Sequence, residues 1–94
     1  MPTSKAEIAT DRASRYLQQL CKHFAHKLPV EFDLQRGRIE FSIGLCRLEA
    51  SPELLTMEAE ASDAETLAQL EGVVARHLER FAFREAPSVA WRPA

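Results

Sequence analysis

The sequence predicts an α+β fold, a two-layer sandwich with two helices on one face of a largely antiparallel sheet, in the order β-α-β-β-β-β-α-β. Three observations predict it. Two stretches repeat apolar residues at three- and four-residue steps, the block between them alternates apolar and polar residues with period two, and the breaks within that block are too short for crossover helices. A half-apolar sheet and two half-apolar helices bury one another most simply as two layers.

Residues 4–9 read as the first strand, with Ala6 and Ile8 on one side and Lys5 and Glu7 on the other. Helix one follows. Thr10 suits its N-cap, Asp11 suits the positive first turn, and Ala13, Tyr16, Leu17, Leu20, Phe24 and Leu28 recur at helical steps. Pro29 stops it, because a residue preceding proline resists helical backbone angles. Period two then takes over: Val30 and Phe32 alternate with Glu31 and Asp33; Ile39, Phe41 and Ile43 with Arg38, Glu40 and Ser42; Cys46, Leu48 and Ala50 with Arg47 and Glu49; and Leu55, Met57, Ala59 and Ala61 with Thr56, Glu58 and Glu60. Gly37, Gly44 and Ser51-Pro52 punctuate these strands as turn residues, which favours a meander.

Helix two opens on Ser62-Asp63-Ala64-Glu65, a capping box in which the Ser62 hydroxyl and the Glu65 carboxylate each satisfy a free backbone amide. Leu67, Leu70, Val74, Leu78 and Phe81 form its apolar stripe, and Gly72 weakens it by about 1 kcal/mol relative to alanine. Pro87 to Trp91 closes the chain as a short strand with Val89 and Trp91 on one side. The expected core includes Leu20, Phe24, Phe41, Leu48, Leu67, Val74 and Leu78. The outer face of the sheet is expected to be acidic (Glu31, Asp33, Glu40, Glu49, Glu58 and Glu60 against Arg38 and Arg47), and the outer face of helix one basic.

Ninety-four residues, 46% hydrophobic and 28% charged, suit a single globular domain over residues 1–94. A net charge of -2 lacks the basic footprint of a nucleic-acid binder. No apolar run approaches the roughly 20 residues of a membrane span, and Met1 to Glu7 lacks the apolar core of a signal peptide, so the expected location is the cytoplasm. Two cysteines, Cys21 and Cys46, are too few for a disulfide scaffold and read as reduced, partly buried thiols.

The residues suited to chemistry are His23, His26, His77 and Glu71. Imidazole and thiolate ligands suit zinc or iron, but at about 100° per residue Cys21 and His23 project roughly 160° apart and cannot close on one ion. His23 and His26 lie about 60° apart, and His77 flanks the stripe of helix two, where it meets His23 if the helices pack side by side. Glu71 sits beside the same stripe, where partial burial suits a carboxylate to acid–base work next to His23 or His77, or to an ordinary ion pair. The row Arg12, Arg15, Lys22 and Lys27, with His26, suits an anionic ligand or a solvated face. Tyr16, Phe24, Phe81 and Phe83 read as core, with Phe83 placed to cover the sheet edge or a partner. No nucleophile is positioned, and no cofactor is specified.

Several spaced segments carry a resemblance. Ala9 to Leu17, Leu20 to Lys27 running into Pro29-Val30-Glu31-Phe32, Gly37 to Phe41, Arg76-His77-Leu78-Glu79-Arg80-Phe81 and the late Trp91 resemble the bacterial family called domain of unknown function 2218. That family has no established reaction; some related domains are joined to siderophore-interacting, flavin-dependent ferric reductase modules, so the resemblance implies an association with iron handling. The leading expectation is a small non-enzymatic binding or accessory protein whose ligand is a small molecule or an iron chelate. The alternatives are a small metal-dependent enzyme using His23, His77 and Glu71 in a helix–helix groove, and a structural homodimer joined through exposed sheet edges.

Overall fold

The computed structural model describes residues 2–82, 84–85 and 87–94. Its elements are β1 (Thr3–Ala9), α1 (Ala13–Ala25), β2 (Val30–Phe32), β3 (Arg36–Phe41), β4 (Gly44–Ala50), β5 (Leu54–Glu60), α2 (Ala64–Phe81) and β6 (Arg92–Pro93). The strands form one sheet in the order β2-β3-β4-β5-β1-β6, and every neighbouring pair is antiparallel. The predicted α+β order is the observed one.

Period two explains the layering. In β1, Ser4, Ala6 and Ile8 are buried while Lys5 and Glu7 alternate outward, and β5 buries Leu55, Met57 and Ala59 in the same manner. One face is therefore apolar, and both helices cover it. Leu17, Leu20 and Cys21 of α1 and Leu70, Val74 and Leu78 of α2 meet it in a common core. Because β1 lies beside β5 while β2 is the far edge, α1 crosses the sheet and touches β2, β3, β4 and β5. Among the described residues no helix is long and apolar enough to cross a membrane.

Two glycines expected as punctuation instead serve packing. Gly37 lies inside β3, and a Cβ there would stand 2.7 Å from the Cys21 sulfur. A side chain there would force the Cys21 thiol or the helix to shift. Gly44 opens β4, where a Cβ would stand 2.2 Å from the Glu60 carbonyl oxygen. The turn between β3 and β4 is consequently Ser42-Ile43, with Phe41 paired to Gly44, rather than a strand running through Ile43.

Other boundaries shift for reasons of hydrogen bonding. Thr10 is not the cap of α1: the N-cap residue is Arg12, Asp11 precedes the helix, and the Thr10 hydroxyl accepts from the Arg12 amide at 3.1 Å. The cap of α2 is Asp63 rather than Ser62; its Oδ1 accepts from the Thr66 amide at 2.7 Å, and its extended backbone starts the helix one residue later. Asp33 leaves the strand pattern because its Oδ1 accepts from the Gln35 and Arg36 amides, both at 2.8 Å, forming the turn between β2 and β3. The last strand is Arg92–Pro93, not Pro87 to Trp91. It pairs at the edge of β1, where the missing amide of Pro93 costs least, while Val89 and Trp91 pack half-buried against the core. Phe24 and Phe41 are also half-buried, edge to face with centroids 4.9 Å apart.

The outer face is not the acidic surface expected. Lys5, Arg36 and Arg92 join Arg38 and Arg47 there, and the signs interleave: Arg38 pairs with Glu40 at 3.3 Å, Arg47 with Glu58 at 3.2 Å and Arg92 with Glu7 at 2.6 Å. These exposed pairs set register more than stability.

Leu78→Ala is expected to cost about 2 to 5 kcal/mol in chemical denaturation through lost burial and a residual cavity. Gly72→Ala is expected to gain up to about 1 kcal/mol, because the new Cβ meets only the movable guanidinium of Arg76. A loss below about 1 kcal/mol for Leu78→Ala would place that side chain outside the core.

Candidate functional site

Helical spacing puts Arg12, Tyr16, Gln19 and His23 along one side of α1, each three or four residues from the next. This row faces the last turns of α2. Between them lies a cleft of about 320 Å³ lined by Arg12, Arg15, Tyr16, Gln19, Phe81 and Arg84. Phe81 also reaches the histidines: the His23 ring centroid lies 5.8 Å from Phe81 and 4.8 Å from His77, and His77 lies 4.8 Å from Phe24. A cationic cleft thus continues into a patch of imidazole and phenyl rings.

The hydrogen bond of His77 defines its tautomer. His77 Nδ1 lies 2.7 Å from the Val73 carbonyl oxygen, which can only accept, so Nδ1 carries the hydrogen and a neutral ring presents a lone pair at Nε2. His23 is held below the usual histidine range, first by desolvation and then by the positive surroundings of His77, Arg80, His26 and Lys27.

At the other end the chain is tied by Glu85. Thr10 Oγ1 lies 2.9 and 3.1 Å from its two carboxylate oxygens and donates to the nearer. The Tyr16 hydroxyl also donates to Glu85. These two bonds, followed by the charge of Arg12, hold the Glu85 carboxyl below its ordinary value. Burial, then the bond to Glu85, pushes the Tyr16 phenol up. The Arg12 guanidinium is raised, first by its bond to Tyr16. Gln19 Oε1 is buried without a hydrogen-bond partner among the described residues.

Of the residues singled out from the sequence, His23 and His77 come together as their positions off the apolar stripes suggest. His26 is the exposed C-cap of α1, close enough to act on His23 through its charge. Glu71 lies elsewhere, in a cleft with Ser4 and Trp91. Among the described residues no group of three histidine, cysteine, aspartate or glutamate side chains is placed to hold a metal ion. Cys21 and Cys46 are buried free thiols, pushed up by burial to about 11 and about 12, so both are protonated near neutrality. Phe83, expected to cover an edge or a partner, lies outside the described residues.

Sequence reasoning missed the tie between Thr10, Tyr16 and Glu85. The partners stand 75 and 69 residues apart, and no local pattern connects them. The segment Phe83-Arg84-Glu85 stood out in the sequence for its phenyl ring, and nothing local marked Arg84 as a cleft residue.

The sequence matches a family described as uncharacterized proteins conserved in bacteria, domain of unknown function 2218, over residues 5–92. The fold is similar to that of PA4090 from Pseudomonas aeruginosa, determined by NMR, with a TM-score of 0.84 and 40% sequence identity over 100% of this chain and 98% of that one. No curated protein matches the sequence.

The lowered proton affinity of His23 has a definite sign. At pH above 6.5, the ordinary value, folded and unfolded chains are both neutral there; below it the unfolded chain takes up the proton first, so stability falls with pH. Glu85 acts in the same direction further down, its contribution being full above its ordinary value of 4.5 and lost as pH falls through the depressed one. Denaturation midpoints measured between neutral and acid pH should fall in two stages, with His23→Gln flattening the upper stage and Glu85→Gln the lower. An unchanged profile in both variants would contradict this assignment.

Proposed function

The chain belongs to the bacterial family of domain of unknown function 2218, and from that premise we propose that it is a small binding or accessory protein, non-enzymatic in itself, that holds a planar anionic ligand between α1 and α2. The observation that carries this reading is the junction at Phe81 of an arginine-lined cleft with the His23–His77 ring pair. Guanidinium groups recognise flat anionic oxygens through paired hydrogen bonds, and ring edges and faces accept a planar aromatic ligand. The Glu85 carboxylate, held ionised by Thr10 and Tyr16, does not line the cleft.

An iron chelate with catecholate arms has this chemistry, being anionic and built of flat rings. The joining of related domains to siderophore-interacting reductase modules supports iron as the context. In the proposed compartment, the cytoplasm, Cys21 and Cys46 stay reduced. A metal-dependent enzyme is less well supported, since Glu71 stands apart from the histidines.

A second reading, the homodimer, has one specific observation behind it. Phe32 and Leu34 are 39% and 65% exposed beside β2, the edge strand of the sheet. Apolar side chains next to an open ladder suit pairing with a second copy.

Calorimetric titration with ferric tris-catecholate tests the first reading. Saturable binding is expected, weakened about tenfold by Arg15→Ala through loss of a charge-assisted contact and abolished by His23→Ala with His77→Ala at a nearly unchanged denaturation midpoint. Equal binding by all three proteins would remove the groove from consideration. Sedimentation tests the second: Leu34→Glu should convert a dimer to a monomer, and a monomeric parent chain would end that reading.

A further inference from the structure

We propose a second binding site, for a small organic ammonium ion that also carries a hydroxyl group, in the cleft where α2 meets β1 and β6. This cleft is open to solvent, with a volume of about 410 Å³, within the range of small-molecule sites of roughly 300 to 1,000 Å³, and its walls include Pro2, Ser4, Leu67, Glu71, Trp91 and Pro93. It shares none of these residues with the groove of Arg12, Arg15 and Phe81.

Two buried polar groups there have no hydrogen-bond partner among the described residues. Ser4 is only 3% exposed, yet its hydroxyl has no hydrogen-bond partner, and the indole Nε1 of Trp91 is likewise buried and unpartnered. Native proteins leave few such groups unpaired. Ser4 stands opposite Pro93, two residues beyond Trp91, so Ser4 and Trp91 are diagonal neighbours on the inner face of the sheet. Glu71, one turn beyond Leu67 on α2, is a partly buried residue that adds a carboxylate entering no ion pair among those formed by the described residues. The neighbouring cation Arg92 is directed to the opposite face, where it pairs with Glu7 at 2.6 Å.

The ligand class follows from this set. A carboxylate within proline, leucine and indole surface attracts a cation whose own substituents are apolar, and an indole ring adds attraction for an ammonium centre. An anion is repelled by Glu71. A hydroxyl on the ligand is the group that would give the Ser4 hydroxyl a partner, once that covered side chain turns toward the cleft.

Trp91 is the single tryptophan of the chain, so its emission reports on this cleft directly. Titration with choline is expected to give a saturable change in Trp91 fluorescence. Glu71→Gln should weaken it about tenfold, the scale of one charged contact, while Glu71→Asp, which keeps the charge, retains it. Ser4→Ala should weaken choline but leave tetramethylammonium, which has no hydroxyl, unaffected; circular dichroism checks that each variant is folded. No saturable change with choline, or equal affinity in Glu71→Gln, would overturn the site. Equal choline affinity in Ser4→Ala would overturn its hydroxyl-bearing ligand class.

Discussion

Helix α1 packs on the sheet with the Cys21 sulfur over Gly37, where no side chain stands between them, and the inner layer is arranged around that seat. With a Cβ position 2.7 Å from the sulfur, any other residue would force the Cys21 side chain or the helix to shift. From this seat α1 buries Leu17 and Leu20 completely, each contributing about 1.5 to 3 kcal/mol by removal from water. The same rotation turns Tyr16, Gln19 and His23 toward α2. Packing of the inner face and chemistry of the groove are therefore set by one contact.

The proposed binding in the groove would also rely on how the end of α2 is held. Glu85 joins Thr10, just before α1, to Tyr16 within it, so the segment carrying Arg84 is fixed against the helix that carries Arg12 and Arg15. Its carboxylate is occupied by hydroxyl donors rather than facing the cleft unopposed. The cationic character of the groove comes from Arg12, Arg15 and Arg84, since Glu85 keeps its charge but does not line the cleft.

Much of this was legible in the sequence, and what was not has physical causes. Alternation from Val30 to Ala61 specified strands and their inner faces because a half-buried sheet imposes period two. The stripes of α1 and α2 specified which sides pack, and hence that His23 and His77, both off those stripes, could converge. Caps were less legible: Ser62 and Asp63 are both good cap residues, and only the backbone angle at Asp63 selects between them. Gly37 looked like a turn because glycine's tolerance of close approach leaves the same mark in a sequence as its tolerance of unusual angles. The sheet pattern likewise placed Ser4 on an inner face without showing that its hydroxyl would lack a partner. The mixed outer face arose from register, since Arg36 falls opposite Glu49 and Arg47 opposite Glu58 only once the hairpins are closed.

The seat of α1 is tested most directly by the reactivity of the two thiols it covers. Cys21 and Cys46 are both buried, one on α1 and one beneath it on β4. If α1 is held as described, a water-soluble alkylating reagent should label both only through global opening, with a free energy from labelling equal to that from chemical denaturation. Labelling of Cys21 in the native protein at a much lower opening free energy would contradict it.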